Sequence, residues 1–175
     1  MTNQTGVDAA ATLAAEWQSL LREHGAVLDS LAEAGRAKRE LLVGIDRPGV
    51  EGATRREEEL LGSATELERR RRGLMTRTAD ILRIPAEGLT VGRIADRIGG
   101  DAGRALRTHR EALREKGKAL LRINRVNRML TEQSLAHADE FLVLLSGGRP
   151  GETVYSRGGR ERKPAAGSLV LDRVV

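Results

Sequence analysis

One seam runs through the first quarter of the chain in alternating steps of four and three: Leu13, Trp17, Leu20, His24, Val27, Leu31, Ala34, Lys38, Leu41 and Ile45. Such steps average about 3.5 residues, the period of helices that pack side by side as coiled coils. The spacing predicts one helix over residues 8–45, more than ~50 Å long at ~1.5 Å per residue. Typical globular helices are far shorter. Gly25 and Gly35 fall inside it, and each costs up to ~1 kcal/mol relative to Ala, so bends are expected there.

What can cover so long a stripe is limited by the supply of large rings. Trp17, Phe141 and Tyr155 are the only aromatic residues, 2% of the chain. Rings contribute most of the buried area in ordinary cores. Without them, Leu, Ile, Val and Ala must be buried along narrow seams, which means long helices in a bundle. The 31% charged residues, with Ala, Leu, Glu and Arg abundant, agree.

The breakers divide the chain accordingly. Asp46-Arg47-Pro48-Gly49 ends the first helix, because Pro48 restricts Arg47 to extended backbone and Gly49 accepts the turn. A second helix is expected over residues 52–83, with Leu60, Ala64, Leu67, Arg71, Leu74, Thr78 and Ile81 on its seam. Glu57, Glu58 and Glu59 then lie early in it, where the helix dipole favours acids. Pro85 closes it. A short unit follows, capped by Thr90, with Leu89, Ile94 and Ile98 packing over the bundle end. Gly99 and Gly100 stop that unit, and Asp101 is expected to cap a third long helix reaching residue 145. Leu106, Leu113, Leu120, Asn127, Ser134 and Phe141 recur along it every seven residues. Its second half, with Leu130, Leu135, Leu142 and Leu145, is apolar over more of its circumference than the first. The expected organisation is an all-α, elongated three-helix bundle over residues 1–150, its long helices antiparallel, with one short extra helix and a flexible C-terminal tail over 151–175. That tail, rich in Gly, Arg and Pro, is too polar to fold alone.

Charge and chemistry narrow the function. The net charge is +5, but 30 basic side chains are interleaved with 25 acidic ones. Nucleic acid is not an expected partner, because the chain offers no stacking platform or groove-reading element. Stable membrane insertion is not expected either, since no apolar run approaches the ~20 residues a bilayer crossing needs. The first eight residues lack a signal peptide's basic start and apolar stretch. There is no Cys, so disulfides, thiolate metal sites and Cys nucleophiles are absent. His24, His109 and His137 form no metal-binding pair, and the three consecutive glutamates point in different directions around a helix. The arginine run at 69–72 spreads around its helix in the same way and reads as a solvated face. No catalytic site, cofactor or metal is expected, and the location is expected to be cytoplasmic.

The remaining constellation is Asn124-Arg125-Val126-Asn127-Arg128-Met129-Leu130. Two Asn three apart share a face, and Asn127 falls on the apolar row itself. A buried Asn fixes register and partner number at a cost in stability. Alternatively the pair marks where bundle core gives way to a partner-binding surface.

At this point the chain resembles a known family. Asn124-x-x-Asn127-x-x-Leu130, then Glu132-Gln133-Ser134-Leu135 and Phe141-Leu142-x-Leu144-Leu145, resemble the end of the long helix in the FlgN family of flagellar export chaperones. Thr153-Val154-Tyr155-Ser156-Arg157-Gly158-Gly159 resembles that family's Thr-x-Tyr-Gly-x-x-Gly segment, with Ser156 in place of the usual Gly. Leu41-Leu42-x-x-Ile45-Asp46 and Ser168-Leu169-Val170-Leu171-Asp172 are similar to its first-helix end and tail. The resemblance implies a chaperone that binds the C-terminal amphipathic segments of hook-associated proteins, which form the hook–filament junction, and delivers them to the flagellar type III export gate. It implies that Asn124, Asn127, Leu130, Leu135, Phe141, Leu142, Leu145 and Tyr155 contact proteins, Tyr155 at the gate. Read blandly, Tyr155 packs over the bundle end. A coiled-coil adaptor or scaffold whose seams serve only self-association remains an alternative, and behind it a basic nucleic-acid-associated protein.

Overall fold

A computed structural model describes residues 4–145, and every regular element among them is a helix. In chain order these are α1 (Gln4–Val43), α2 (Arg47–Leu82), α3 (Val91–Ile98) and α4 (Gly100–Leu145). The all-α architecture of long helices with one short extra helix is as the periodicity predicts. The residues assigned to the tail lie outside the described ones.

The turns are tighter than the breakers suggest. α2 begins at Arg47, so Pro48 and Gly49 sit inside its first turn instead of forming a loop. Proline is at home there because the N–H it lacks would have no helical partner. Asp46 caps the helix, its Oδ1 accepting from the Gly49 amide at 3.1 Å. α1 stops two residues short of its expected end. Ile45 leaves the helix with a left-handed φ of 56° and is 88% exposed, so the seam ends at Leu41. The earlier start of α2 also moves Glu57–Glu59 beyond its first turn, out of reach of the dipole. Glu57 instead bonds Lys38 of α1 at 2.8 Å. Thr90 caps α3 as expected, accepting from the Arg93 amide at 3.3 Å. Asp101 does not cap α4: it lies within the first turn of a helix that already begins at Gly100, and pairs there with Arg104.

The chain divides into two compact units, Met1–Arg125 and Val126–Val175. Within the first, α1 and α2 are antiparallel, as three cross-links at opposed positions show. Trp17 meets Thr78, Glu23 meets Arg70 and Lys38 meets Glu57. The core gathers Leu13, Trp17, Leu20, Leu67, Leu74 and Leu106, with α3 contributing Ile94 and Ala95 and the turn before it Leu89. The first part of α4 follows the direction of α1: Leu113 lies against Gly25, and Lys116 Nζ bonds Asp29 at 2.6 Å. α1 passes through Gly25 and Gly35 as one helix. The use of Gly25 is close approach, since a Cβ there would stand 3.3 Å from the Lys116 amine.

Gly103 is a tighter case. A Cβ on it would come within 2.3 Å of the Ala95 carbonyl oxygen, which is backbone and cannot rotate away. Gly103→Ala should therefore force α3 and α4 apart and cost about 1–3 kcal/mol, as overpacking does. Gly117→Ala is the contrast, because nothing lies within 4 Å of that Cβ. It should stabilise by roughly 0.4–1 kcal/mol. Thermal melts followed by circular dichroism should move in opposite directions, and equal melting temperatures would refute the packing argument.

Candidate protein-binding surface

Burial falls away along the heptad row of α4. Leu106 is fully buried, Leu113 and Leu120 are half-buried, Asn127 is buried, and Ser134 and Phe141 are exposed. The row keeps its spacing while its cover changes.

Within the second unit, α4 from Val126 to Leu145 carries a broad uncovered apolar surface. Leu135 is 66% exposed, Phe141 62%, Leu142 45% and Leu145 50%, and Leu144 and Met129 are also exposed. Leu135 and Leu142 are seven apart, and at ~100° per residue Phe141 and Leu145 lie beside them on one broad side. Val143, nearly opposite Phe141 and Leu145, is only 2% exposed. Cover is therefore found at Val143, while Leu135, Phe141, Leu142 and Leu145 stand largely in solvent. Two hydroxyls in this stretch turn back onto their own helix. Thr131 Oγ1 donates to the Asn127 carbonyl and Ser134 Oγ to the Leu130 carbonyl, each at 2.9 Å. Neither competes for a partner.

The charges of this stretch are mainly acidic: Glu132, Asp139 and Glu140 against Arg128. Arg128 Nε bonds Glu132 at 2.8 Å, and that contact raises the guanidinium's affinity for its proton. His137 Nδ1 stands 3.9 Å from Glu140.

Of the residues singled out in the sequence, Leu135, Phe141, Leu142 and Leu145 share this surface and Leu130 is half-buried on it. The two Asn differ: Asn124 is exposed and Asn127 buried. Tyr155 lies outside the described residues. Leu144 extends the surface beside Phe141 and is signalled by its place in the same apolar stretch, whereas the exposed Met129 falls on the opposite side of the helix. A second exposed apolar point was not anticipated: Val43 and Ile45 at the α1–α2 turn, where the seam was expected to stay covered.

Three of the four arginines at 69–72 are held in ion pairs. Arg69 bonds Glu66, Arg70 reaches Glu23 of α1, and Arg71 bonds Glu68. The three carboxyls are held below their ordinary pKa by those hydrogen bonds. These three guanidinium groups are thus occupied by carboxylates of the protein's own α1 and α2. Among the described residues no three His, Asp or Glu side chains are grouped to hold a metal, and no helix is long and apolar enough to cross a membrane.

The family model described as FlgN protein covers residues 13–163. No curated protein matches, and no solved structure matches.

Proposed function

The chain belongs to the FlgN family of flagellar export chaperones, and from that premise we propose that it binds the C-terminal amphipathic segments of the hook-associated proteins through the second half of α4. The observation that carries this reading is the uncovered stripe of Leu135, Phe141, Leu142 and Leu145. Monomers rarely expose contiguous large apolar side chains without a use. An amphipathic cargo segment would lay its own apolar stripe along it, with i, i+3, i+4 and i+7 anchors. Binding there keeps two aggregation-prone surfaces off other partners before secretion. The loaded chaperone then meets the export gate in the cytoplasm, with Tyr155 as the docking anchor.

Isothermal titration with a synthetic hook-associated-protein C-terminal peptide tests the first half. Saturable binding with a negative heat-capacity change, the marker of apolar burial, is expected. A peptide of the same composition whose order breaks the apolar stripe should not bind. Equal binding of both peptides would refute groove-like recognition.

Tyr155→Ala tests the second half. A lone ring, rigid and amphipathic, is the kind of residue that dominates binding interfaces. Cargo affinity and melting temperature should stay near wild type, while affinity of the loaded complex for the gate protein falls tenfold or more, about 1.4 kcal/mol. A lower melting temperature with gate binding intact would assign the ring to packing.

A further inference from the structure

We propose that residues 169–175 of this same chain are a resident ligand of the α4 stripe, occupying it until cargo displaces them. The inference rests on the reading that the stripe accepts amphipathic segments, and it concerns what sits there when cargo is absent.

Chemistry first. After 23 polar-rich residues the sequence turns apolar again: Leu169, Val170, Leu171, Val174 and Val175, broken by Asp172 and Arg173. Arranged as a helix, Val170, Leu171, Val174 and Val175 fall within one arc of ~140°, with Asp172 and Arg173 outside it. That is the pattern the stripe suits. It pairs aliphatic side chains with Leu135, Leu142 and Leu145, which are about half exposed or more.

Reach permits it. A random coil of 23 residues has a root-mean-square span of roughly 27 Å. From Leu145 back to Leu135 is about 15 Å along the helix. A tether of that kind supplies a local concentration of the order of millimolar, enough to populate a contact too weak to form between separate molecules.

Charge directs it. The intervening segment carries Arg149, Arg157, Arg160, Arg162 and Lys163 against Glu152 and Glu161, whereas the α4 stretch carries Glu132, Asp139 and Glu140 against Arg128. In a chain of net charge +5, this acidic stretch is where a basic segment is drawn. Docking also ties down Tyr155, which lies between α4 and the apolar segment. Cargo binding would free that ring, so gate docking would follow loading.

The absence of Cys makes the test clean. A nitroxide is placed on a single Asp172→Cys in the full chain, and relaxation of the backbone amides is measured by NMR. Amides 135–145 should broaden at high dilution. Leu171→Asp with Val174→Asp should abolish the broadening and raise affinity for the hook-associated-protein peptide about threefold or more, as removing a tethered competitor does. Unbroadened amides overturn the proposal. So does broadening seen only when labelled chains are mixed with unlabelled isotope-enriched ones, which makes a second copy the occupant. Unchanged peptide affinity in the double variant overturns the shared site. If the amides broaden but no cargo peptide binds, the resident ligand stands and the cargo reading fails. If the peptide binds and the amides stay sharp, the reverse holds.

Discussion

Replacing Leu135 and Phe141 together by Asp is expected to weaken binding of a hook-associated-protein C-terminal peptide at least a hundredfold, roughly 2.7 kcal/mol, while leaving the helical fold in place. Two effects add. Each substitution removes the apolar area that a bound segment would cover, and each leaves a carboxylate to be desolvated beneath it. The free protein loses little, because both side chains are mostly in water already: Leu135 is 66% and Phe141 62% exposed. Substitutions at such positions generally stay within about 0.5 kcal/mol. Asp at 141 adds a small penalty, since an acid in the last turn of α4 opposes the helix dipole. Circular dichroism and a urea titration separate the two outcomes. Lost binding with an unchanged urea midpoint is the expected result. An unfolded double variant would make these residues core. Leu61→Asp is the control, an exposed Leu on α2 that should leave peptide binding unchanged.

The largest loss of stability is expected at Trp17. Trp17→Ala should cost about 3–5 kcal/mol, as truncation of a buried ring does. Its side chain is wholly buried among Leu13, Leu20, Leu74 and Ile94, and no other aromatic residue among the described ones is in that core. The ring also makes a polar contact that fixes the register of the hairpin. Its Nε1–H donates to Thr78 Oγ1 at 2.8 Å, and the same hydroxyl donates to the Leu74 carbonyl at 2.6 Å. Thr78→Val keeps the volume but leaves the indole N–H without an acceptor in a dry interior, which should cost about 1–3 kcal/mol. Trp17→Phe made in the Thr78→Val background should then cost less than Trp17→Phe alone, because the orphaned donor leaves with the indole. Denaturant titrations of the four proteins measure the coupling. A Thr78→Val variant as stable as wild type would show that the contact sets no register.

Sequence pattern identified more of the fold than of the surface. The alternating four-and-three steps located three long helices, because a period of 3.5 is a property of neighbouring residues and needs no partner to be read. Thr90 could likewise be placed as a cap, since capping is local chemistry. Helix ends were read less well. Pro48 has the sequence character of a breaker, yet it lies in the first turn of α2, where the Asp46 side chain accepts from the Gly49 amide. Ile45 fitted the seam by spacing but sits past the helix with its side chain in solvent.

Spacing assigns a residue to a face; it cannot say whether anything covers that face at a given height. Leu106 and Phe141 occupy the same heptad row thirty-five residues apart, one wholly buried and the other mostly exposed. Leu106 meets the core of α1, α2 and α3, and that meeting depends on α3 packing close enough for Gly103 to touch the Ala95 carbonyl. Thr78 was likewise placed on its seam by period alone, while its bond to Trp17 spans sixty-one residues and exists only because the hairpin closes in one register. The sequence by itself determined the helices, their order and the side of α4 that is apolar, since these follow from contacts between residues three and four apart. Only the tertiary structure decided where along α4 that apolar side is covered, because cover comes from segments distant in the chain.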